Sequence, residues 1–345
     1  MTRYVVVGAG AIGGAVGGLL ARAGSEVLLI ARGDHGRAMI DNGLTLRCPD
    51  GTFTVDAPAA TGPDNVRLRV DDVLVLATKT HQAESAINQW ADVPVFDGDR
   101  QVGRAADVLP VLTALNGVAS EDIALRYFER VFAVCVWFPA VMIEPGEVIV
   151  RGAPLRGVFH IGPYHAGQSG AGTDDASDAA LLATVQADWA AAGCKVVLSD
   201  NVMAWKYRKL LGNLGNAFQA LLGDTSGADD LVEAARAEAR DILAAAEIDV
   251  TPDEVERAAR QDAAKVRPVP GVPEQLGGSS WQSLIRGSGT IETDYLNGEI
   301  ALIGRRIGHP APINSRVTAL ARHAARTGLR PGELTADRLR AELTR

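Results

Sequence analysis

Three polar side chains follow one another at helical spacing in the second half of the chain. Lys209, Asn213 and Asn216 stand at i, i+4 and i+7, which places them along one face if the segment is a single helix. Interleaved leucines give the other side of that helix an apolar surface to bury. An ammonium and two amides in a row are costly to bury without partners or a function. The alternative is a solvated surface lysine with two solvated asparagines. The choice between a functional and a solvated face depends on motifs elsewhere in the chain.

A glycine motif near the start of the chain predicts a dinucleotide site. A β-branched run at 4–7 leads into the segment 8–13, which reads Gly-Ala-Gly-Ala-Ile-Gly and matches Gly-x-Gly-x-x-Gly. Small and apolar residues typical of a helix follow, and then a second strand at 26–30. Strand, glycine loop, helix and strand within about thirty residues form the context in which this motif binds a pyrophosphate. The alternative is a glycine-rich turn without a ligand.

Each position of the motif has an expected task. Gly8 allows the tight turn, Gly10 lets the backbone approach the pyrophosphate, and Gly13 permits close packing of helix on strand. Ala11 and Ile12 open the predicted helix, so the phosphate charge is expected at their end of it.

The residue at the end of the second strand bears on the choice of cofactor. An Asp or Glu there usually binds the ribose of NAD, but this chain has Arg32. A guanidinium pairs well with a 2′-phosphate, so we predict NADP(H) as the cofactor. The alternative is a solvated Arg32 with Asp34 as the ribose ligand.

Two further predicted strands end in polar residues. Lys79 follows the buried strand at 72–77, and Asn116 follows an apolar run and precedes Gly117. Ligands bind at the carboxyl ends of strands in doubly wound sheets. We therefore assign Lys79 and Asn116 to the cofactor site, where the Asn116 amide could meet the nicotinamide or the substrate.

Length and composition limit the classes of protein to which this chain can belong. The 345 residues suffice for two domains, and the net charge of −8 argues against nucleic-acid binding. No apolar run reaches the roughly 18 residues of a membrane span, and no metal-binding spacing of Cys or His is present. Three cysteines without a disulfide framework fit a reducing compartment, so we expect a cytoplasmic protein.

These patterns predict an α/β protein with two domains. We expect a Rossmann-type dinucleotide-binding domain over 1–200, followed by an all-α C-terminal domain over 201–345, because strand signals vanish near Asp200. The helical domain could bury one face against a second copy, which makes a homodimer plausible.

With both halves in view, the chain resembles the ketopantoate reductases, the NADPH-dependent 2-dehydropantoate 2-reductase family, from Gly8 to about residue 320. The resemblance is carried by Arg32, by Lys79 in Thr-Lys-x-x-Gln, by Asn116-Gly117, by Lys209 in Arg-Lys-Leu-x-x-Asn with Asn213 at the family's spacing, and by Ser279-Ser280 ahead of Glu292 in Glu-x-Asp-Tyr-x-Asn-Gly. It implies that Lys209 is the catalytic lysine, Glu292 the active-site glutamate and Ser280 a substrate-binding serine.

The chain departs from the family pattern around the substrate. Asn216 comes one residue before the family's second asparagine, and position 217 is an alanine. Trp281 replaces a typical methionine, and Ser283 stands where the family tends to have aspartate. These departures leave the reaction type in place but put pantoate itself in question.

The implied mechanism is hydride transfer from NADPH to a ketone carbon beside a carboxylate. Lys209 would protonate the carbonyl oxygen, and Glu292 would orient the substrate or the lysine. Asn213 and Asn216 would hold the carbonyl or a hydroxyl, and Ser280 the carboxylate.

The hypothesis places a geometric requirement on the chain between Ser280 and Glu292. Ser280 and Glu292 are twelve residues apart, so they converge only if Gly287 and Gly289 break the helix between them. The rival hypotheses are an NADP-dependent reductase of another 2-oxo acid or bulkier ketone, and a non-catalytic NADPH-sensing protein.

Overall fold

The computed structural model describes residues 2–165, 176–261, 265–273, 277–287 and 289–343. The chain divides into two compact units. The first comprises residues 1–115, 120–203 and 254–272, and the second comprises residues 116–119, 204–253 and 273–345. Among the described residues, no helix combines the length and the apolar character that crossing a bilayer requires.

In the described part of the chain, every strand lies in the first unit. They are β1 (Arg3–Val7), β2 (Glu26–Ile30), β3 (Leu44–Cys48), β4 (Gly51–Val55), β5 (Ala59–Ala60), β6 (Leu68–Arg69), β7 (Asp72–Leu76), β8 (Pro94–Asp97), β9 (Arg100–Arg104), β10 (Val111–Thr113), β11 (Val131–Trp137), β12 (Ala140–Val141), β13 (Glu147–Val150), β14 (Gly152–Ala153), β15 (Val158–Pro163), β16 (Lys195–Leu198) and β17 (Lys265–Val266).

The helices occur in both units. They are α1 (Ala11–Arg22), α2 (Gly33–Asn42), α3 (Ala83–Ala91), α4 (Ala105–Val108), α5 (Ser120–Leu125), α6 (Ala176–Ala191), α7 (Val202–Asn213), α8 (Gly215–Leu222), α9 (Asp229–Ala245), α10 (Asp253–Gln261), α11 (Ser279–Ile285), α12 (Asn297–Ile307), α13 (Pro312–Thr327) and α14 (Ala336–Leu343). Short 3₁₀ helices span Pro63–Asn65, Thr80–Gln82 and Glu292–Tyr295.

One large sheet organises the first unit, with the strand order β5-β2-β1-β7-β10-β11-β15-β16. The strands from β5 to β11 are parallel, whereas β15 runs antiparallel to β11 and β16 follows β15 in parallel. The chain leaves β1 towards β2 on one side and returns to β7 on the other side. The strand order therefore reverses at β1, where doubly wound folds bind their ligands, and the predicted Rossmann-type fold is confirmed.

Both faces of this sheet are buried at β1, where residues 4–7 are all hydrophobic. Tyr4 and Val6 belong to the core on one face, whereas Val5 and Val7 belong to the core on the other. Side chains of α1 and α6 fill the first core, and those of α3 and α5 fill the second. A parallel strand covered on both sides reads as a continuous hydrophobic run, which is the pattern seen at 4–7.

Smaller sheets complete the first unit, in the orders β12-β13-β3-β4, β6-β8-β9 and β14-β17. The first of them packs on α1, because that helix carries glycines on the face it presents. A Cβ atom on Gly18 would lie only 3.0 Å from Leu44 and Leu46, and one on Gly14 would lie 3.0 Å from Val148. Gly14 and Gly18 of α1 therefore let β3 and β13 lie close to the helix that starts at the glycine motif.

The second unit is helical in its described residues, as predicted, but its bounds differ from the expected 201–345: residues 254–272, with β17, belong to the first unit, and residues 116–119 belong to the second. Its core joins α8, α9, α13 and α14, with Phe218, Val232, Val317 and Leu339 among the buried side chains. A hydrogen bond also joins α13 to α9: Asn314 Nδ2 donates to the carbonyl oxygen of Ala235 over 2.9 Å.

The prediction that Lys209, Asn213 and Asn216 share one continuous helix is wrong. Helix α7 ends at Asn213 and α8 begins at Gly215, so Asn216 belongs to a different helix from Lys209. Leu214 keeps helical dihedrals, but its carbonyl oxygen accepts a bond from Asn297 Nδ2 at 3.3 Å. A side-chain amide from α12 and a glycine with low helix propensity thus lie at the interruption.

Candidate functional site

The loop between β1 and α1 is shaped by close backbone approaches. Gly8 has φ of +97°, and a Cβ atom there would lie 2.7 Å from the Thr78 amide nitrogen. A Cβ atom on Gly13 would lie 2.4 Å from the Gly8 carbonyl oxygen, so helix and loop meet with no room for a side chain. A Cβ atom on Gly10 would meet nothing within 4 Å, which leaves space for a ligand beside the loop.

The start of α1 offers hydrogen-bond donors at that space. The N–H of Gly14 donates to the Gly10 carbonyl oxygen over 2.7 Å, so the amides of Ala11 and Ile12 lie in the first turn. A helix has no acceptors of its own for its first-turn amides, and its dipole favours an anion there. Thr78 Oγ1 is buried and has no hydrogen-bond partner among the described residues. This set of donors fits a pyrophosphate.

Two cationic residues follow the strands on either side of β1. Arg32 immediately precedes α2 at the end of β2, and it is exposed. Lys79 follows β7, is half-buried, and caps the 3₁₀ helix Thr80–Gln82. Because parallel strands end at the same edge of a sheet, Arg32, Lys79 and the glycine loop lie along one edge of the first unit.

The second unit brings Lys209 together with Asn116. The Nζ atom of Lys209 donates to Asn116 Oδ1 over 2.7 Å, and both residues are half-buried. The next residue, Gly117, has φ of +76°, and a Cβ atom there would lie 2.6 Å from the Tyr295 carbonyl oxygen. The Asn116–Gly117 segment therefore contacts both the lysine and the turn that carries Glu292.

Glu292 is buried at the start of that turn, with 7% of its surface exposed. The chain breaks after α11 at Gly287 and Gly289, whose φ angles are +59° and +67°, as the spacing of Ser280 and Glu292 requires. After the turn, Asn297 Nδ2 donates to the carbonyl oxygen of Leu214 at 3.3 Å. The turn with Glu292 is thus fastened to the chain directly after α7.

Ser280 lies in the first turn of α11, and only 2% of its surface is exposed. Its hydroxyl has no hydrogen-bond partner within the described part of the chain. A buried polar atom without a partner is unusual in a native protein, and a bound ligand is one way to satisfy it. Ser283 differs, because its hydroxyl donates to the Ser279 carbonyl oxygen at 3.0 Å.

Helix α8 contacts the segment that directly precedes Ser280 in the chain, residues 277–279. Gln219 Oε1 accepts a hydrogen bond from the Gly278 N–H at 2.8 Å. A Cβ atom on Gly278 would lie 3.6 Å from Asn216 Oδ1, so the Asn216 amide faces the same segment. Asn213 is half-buried, one helical turn after Lys209 on α7. The predicted substrate residues therefore divide between the Lys209 helix and the Ser280 segment.

Two residues at the site were given no role by the sequence analysis. Thr78 directly precedes Lys79, and its position at a strand end was the available signal. Gln219 stands three residues after Asn216, which puts the two side chains on the same side of α8. Asn116, which was assigned to the cofactor site, also contacts the predicted catalytic lysine, because its amide oxygen accepts a hydrogen bond from Lys209.

Comparison with known proteins agrees with this arrangement. The family model described as "Ketopantoate reductase PanE/ApbA" matches residues 4–166, and the model described as "Ketopantoate reductase PanE/ApbA C terminal" matches residues 201–325. A 2-dehydropantoate 2-reductase of Pyrococcus horikoshii is 27% identical over 327 residues, which cover 92% of this chain and 96% of the relative.

Solved structures show the same fold. A PanE/ApbA family ketopantoate reductase from Ralstonia eutropha JMP134 has a TM-score of 0.72 and 28% identity, covering 95% of this chain and 99% of that one. D-mandelate dehydrogenase, in a complex with NADH and anilino(oxo)acetate, has a TM-score of 0.74 and 24% identity over the same shares of the two chains.

The two family models together span most of the sequence, including the glycine loop, Lys209 and Glu292. The family consists of nicotinamide dinucleotide-dependent oxidoreductases that act on a carbonyl or carbinol group. With its glycine loop and the bond between Lys209 and Asn116 in place, the chain belongs to the ketopantoate reductase family.

Proposed function

We propose that this protein is an NADPH-dependent reductase of a 2-oxo acid, and that 2-dehydropantoate, reduced to pantoate, is its substrate. The observation that carries the proposal is the Lys209 ammonium held 2.7 Å from Asn116 Oδ1. That bond fixes a proton donor in position, and the segment that accepts it also contacts the Glu292 turn. The names of the relatives support the choice of substrate.

The cofactor would bind on the first unit. Gly10 would admit the pyrophosphate to the backbone, the Ala11 and Ile12 amides would donate to it, and Lys79 would add positive charge. Arg32 would pair with the 2′-phosphate, which favours NADPH over NADH. When bound, the reduced nicotinamide supplies the hydride that the carbonyl carbon of the substrate receives.

Lys209 would act on the oxygen of the same carbonyl group. As negative charge develops on that oxygen, the ammonium stabilises it and then transfers a proton to it. Asn116 keeps the donor oriented through its amide oxygen. Glu292 would favour the charged form of the lysine by proximity and orient the substrate.

The remaining polar groups would hold the substrate. The Ser280 hydroxyl, buried and without a partner among the described residues, would donate to the carboxylate. Asn213 would hold the carbonyl or hydroxyl group from the Lys209 helix. Asn216 would contribute from α8, where it faces Gly278.

A second candidate function is the reduction of a different 2-oxo acid with a bulkier side chain. It is favoured by Trp281, whose ring would lie 2.3 Å from a Cβ atom on Gly277 and so packs directly on that glycine. The family's typical methionine is flexible, whereas an indole is rigid and large. Because Trp281 directly follows Ser280, the proposed carboxylate ligand, its indole would select a different substrate side chain while the reacting groups stay the same.

The test is NADPH consumption, followed by absorbance, with 2-dehydropantoate, 2-oxoisovalerate and phenylglyoxylate compared at equal concentrations. The proposal expects kcat/KM for 2-dehydropantoate to exceed the others by about tenfold or more. A preference for phenylglyoxylate would establish the second candidate instead. Tight NADPH binding without oxidation on any 2-oxo acid would support a sensing role and contradict both.

The choice between NADPH and NADH is expected to depend on Arg32. Replacing Arg32→Ser removes a charge-assisted bond to the 2′-phosphate, so KM for NADPH should rise by about 10- to 100-fold. KM for NADH should change by less than about threefold, because NADH has no phosphate at that position. Steady-state kinetics with both cofactors measure the effect.

Arg37→Ser is the matched control, since Arg37 lies on the same helix α2, is exposed, and pairs with Asp34. It should leave both KM values near those of the wild type. Equal losses with NADPH and NADH in Arg32→Ser would show that Arg32 does not read the phosphate, and would point to Asp34 as the ribose ligand.

A further inference from the structure

A buried histidine connects the glycine loop to two other parts of the first unit. His35 lies on α2, three residues after Arg32, with 9% of its surface exposed. Its Nε2 atom is 2.7 Å from the Ala9 carbonyl oxygen, inside the glycine motif. Its Nδ1 atom accepts a hydrogen bond from the Gly146 N–H at 2.8 Å. Both nitrogens of one ring are therefore used by backbone groups.

These two bonds determine the protonation state of the ring. A backbone N–H is only a donor, so Nδ1 must be unprotonated to accept from Gly146. The single proton of the neutral imidazole then resides on Nε2 and is donated to the Ala9 oxygen. Burial lowers the pKa of His35 below its ordinary value, and the bond to Ala9 partly opposes that shift. The geometry and the chemistry thus agree on a neutral ring.

The backbone contacts around the ring show what it joins. Gly146 has φ of +78°, and a Cβ atom there would lie 3.0 Å from the Ala38 side chain, so the turn before β13 packs on α2. The Gly146 carbonyl oxygen accepts from the Thr45 N–H of β3 at 2.9 Å. His35 therefore stands where α2, the glycine loop and the accessory sheet β12-β13-β3-β4 meet.

Two phosphate-binding elements depend on that position. The Ala9 carbonyl and the Gly10 N–H belong to one planar peptide, and that N–H donates to the Gly8 carbonyl oxygen at 2.8 Å, so the bond from His35 helps to fix the turn that leads into α1. Arg32 is at the N-terminus of the helix that carries His35, so the ring ties the expected pyrophosphate loop to the expected 2′-phosphate ligand.

We propose that His35 is a positioning residue for the cofactor: it holds the glycine loop and the Arg32 end of α2 in one arrangement that binds NADP(H). The inference rests on the proposed use of NADP(H) on these elements. His35 itself touches backbone atoms and makes no contact with the reacting groups in this scheme. It should therefore affect cofactor affinity and leave the rate at saturating cofactor unchanged.

Three substitutions separate the two bonds. His35→Ala removes both, His35→Gln keeps an N–H donor within reach of Ala9, and His35→Asn keeps an acceptor near Gly146. We expect the Kd for NADPH to rise about tenfold in His35→Ala, with kcat at saturating NADPH and substrate within about twofold of wild type. His35→Gln should recover most of the affinity, and His35→Asn should not, because the bond to Ala9 orients the loop.

Met39→Ala is the control for loss of stability alone. Met39 is buried on the same helix α2 and belongs to the hydrophobic core, but it is not one of the hydrogen-bonding groups. It should lower the melting temperature and leave the Kd for NADPH unchanged. An equal rise of Kd in Met39→Ala and His35→Ala would reduce His35 to a general stabilising residue and overturn the inference.

The pH dependence of affinity gives an independent readout. As pH falls below 6.5 and through the lowered pKa of His35, the ring gains a proton at Nδ1 and can no longer accept from Gly146. The Nε2–H bond to Ala9, which orients the loop, survives that protonation, so the ratio of the wild-type Kd to the His35→Gln Kd should stay within about twofold at acid pH, and titration of the 2′-phosphate cancels in this ratio. The charged groups on the segments that contact the ring are Arg32 directly before α2, then Asp34, Arg37 and Asp41 on α2, and Glu144 and Glu147 beside Gly146, whereas the glycine loop has none.

The outcomes distinguish this inference from the proposed function. A wild-type protein that binds NADPH while folded His35→Ala binds it equally well would overturn the inference and leave the function intact. A ratio that rises several-fold at acid pH would show that the Gly146 bond, and not the Ala9 bond, sets the affinity, and would also count against the inference. A wild-type protein that binds neither NADPH nor NADH would instead refute the proposed cofactor itself.

Discussion

Replacing Lys209→Ala is expected to lower kcat for 2-oxo acid reduction by on the order of 10³-fold. The substitution removes both the proton donor and the positive charge beside the developing alkoxide. The Kd for NADPH should stay within about threefold of wild type, because the expected phosphate ligands are Arg32 and the glycine loop. Single-turnover kinetics and fluorescence titration of NADPH measure the two quantities separately.

Two further variants sharpen this expectation. Lys209→Arg keeps a positive charge but cannot give up a proton at ordinary pH, so it should remain slow. Lys265→Ala removes an exposed lysine from β17 in the other unit and should keep the wild-type rate. Undiminished turnover in Lys209→Ala would remove Lys209 from the mechanism.

Replacing Glu292→Gln should lower kcat/KM by about 100-fold. The change keeps the size of a buried side chain and removes its negative charge. If Glu292 favours the ammonium form of Lys209 and orients the substrate, both effects are lost together. Initial rates at several substrate concentrations, with a thermal unfolding curve for each protein, provide the measurement.

Asp294→Asn is the matched control in the same 3₁₀ turn. Asp294 is exposed and pairs with Arg322 at 3.1 Å, so neutralising it should leave kcat/KM close to the wild-type value. A similar loss in both variants would mean that the turn needs its charge only for folding. Wild-type kinetics in Glu292→Gln would contradict the role given to this carboxylate.

The dinucleotide-binding fold was readable from the sequence because its signals are local. The run at 4–7, the glycine spacing at 8–13 and Arg32 lie within a short stretch, and each has a physical reason that holds without knowledge of distant residues. The helical second half was predictable for the same reason, since helical periodicity repeats within a few turns.

Long-range bonds account for what the sequence did not reveal. The interruption after Asn213 involves the Asn297 amide, which reaches Leu214 from 83 residues away in the chain. Asn116 and Lys209 are 93 positions apart, and His35 and Gly146 are 111 apart. Spacing along a helix or strand contains no information about such pairs, so they become visible only in three dimensions.

The two glycines between α11 and the Glu292 turn bear on how this family diversifies. Gly287 and Gly289 adopt left-handed dihedrals, so the chain can change direction between the segment with Ser280 and Trp281 and the turn with Glu292. With the proposed substrate site, substitutions on α11 would alter which side chain the enzyme accepts without rotating the Glu292 carboxylate. Such a division would let new substrates be accepted through changes in one segment while the proposed reacting groups in the next stay the same.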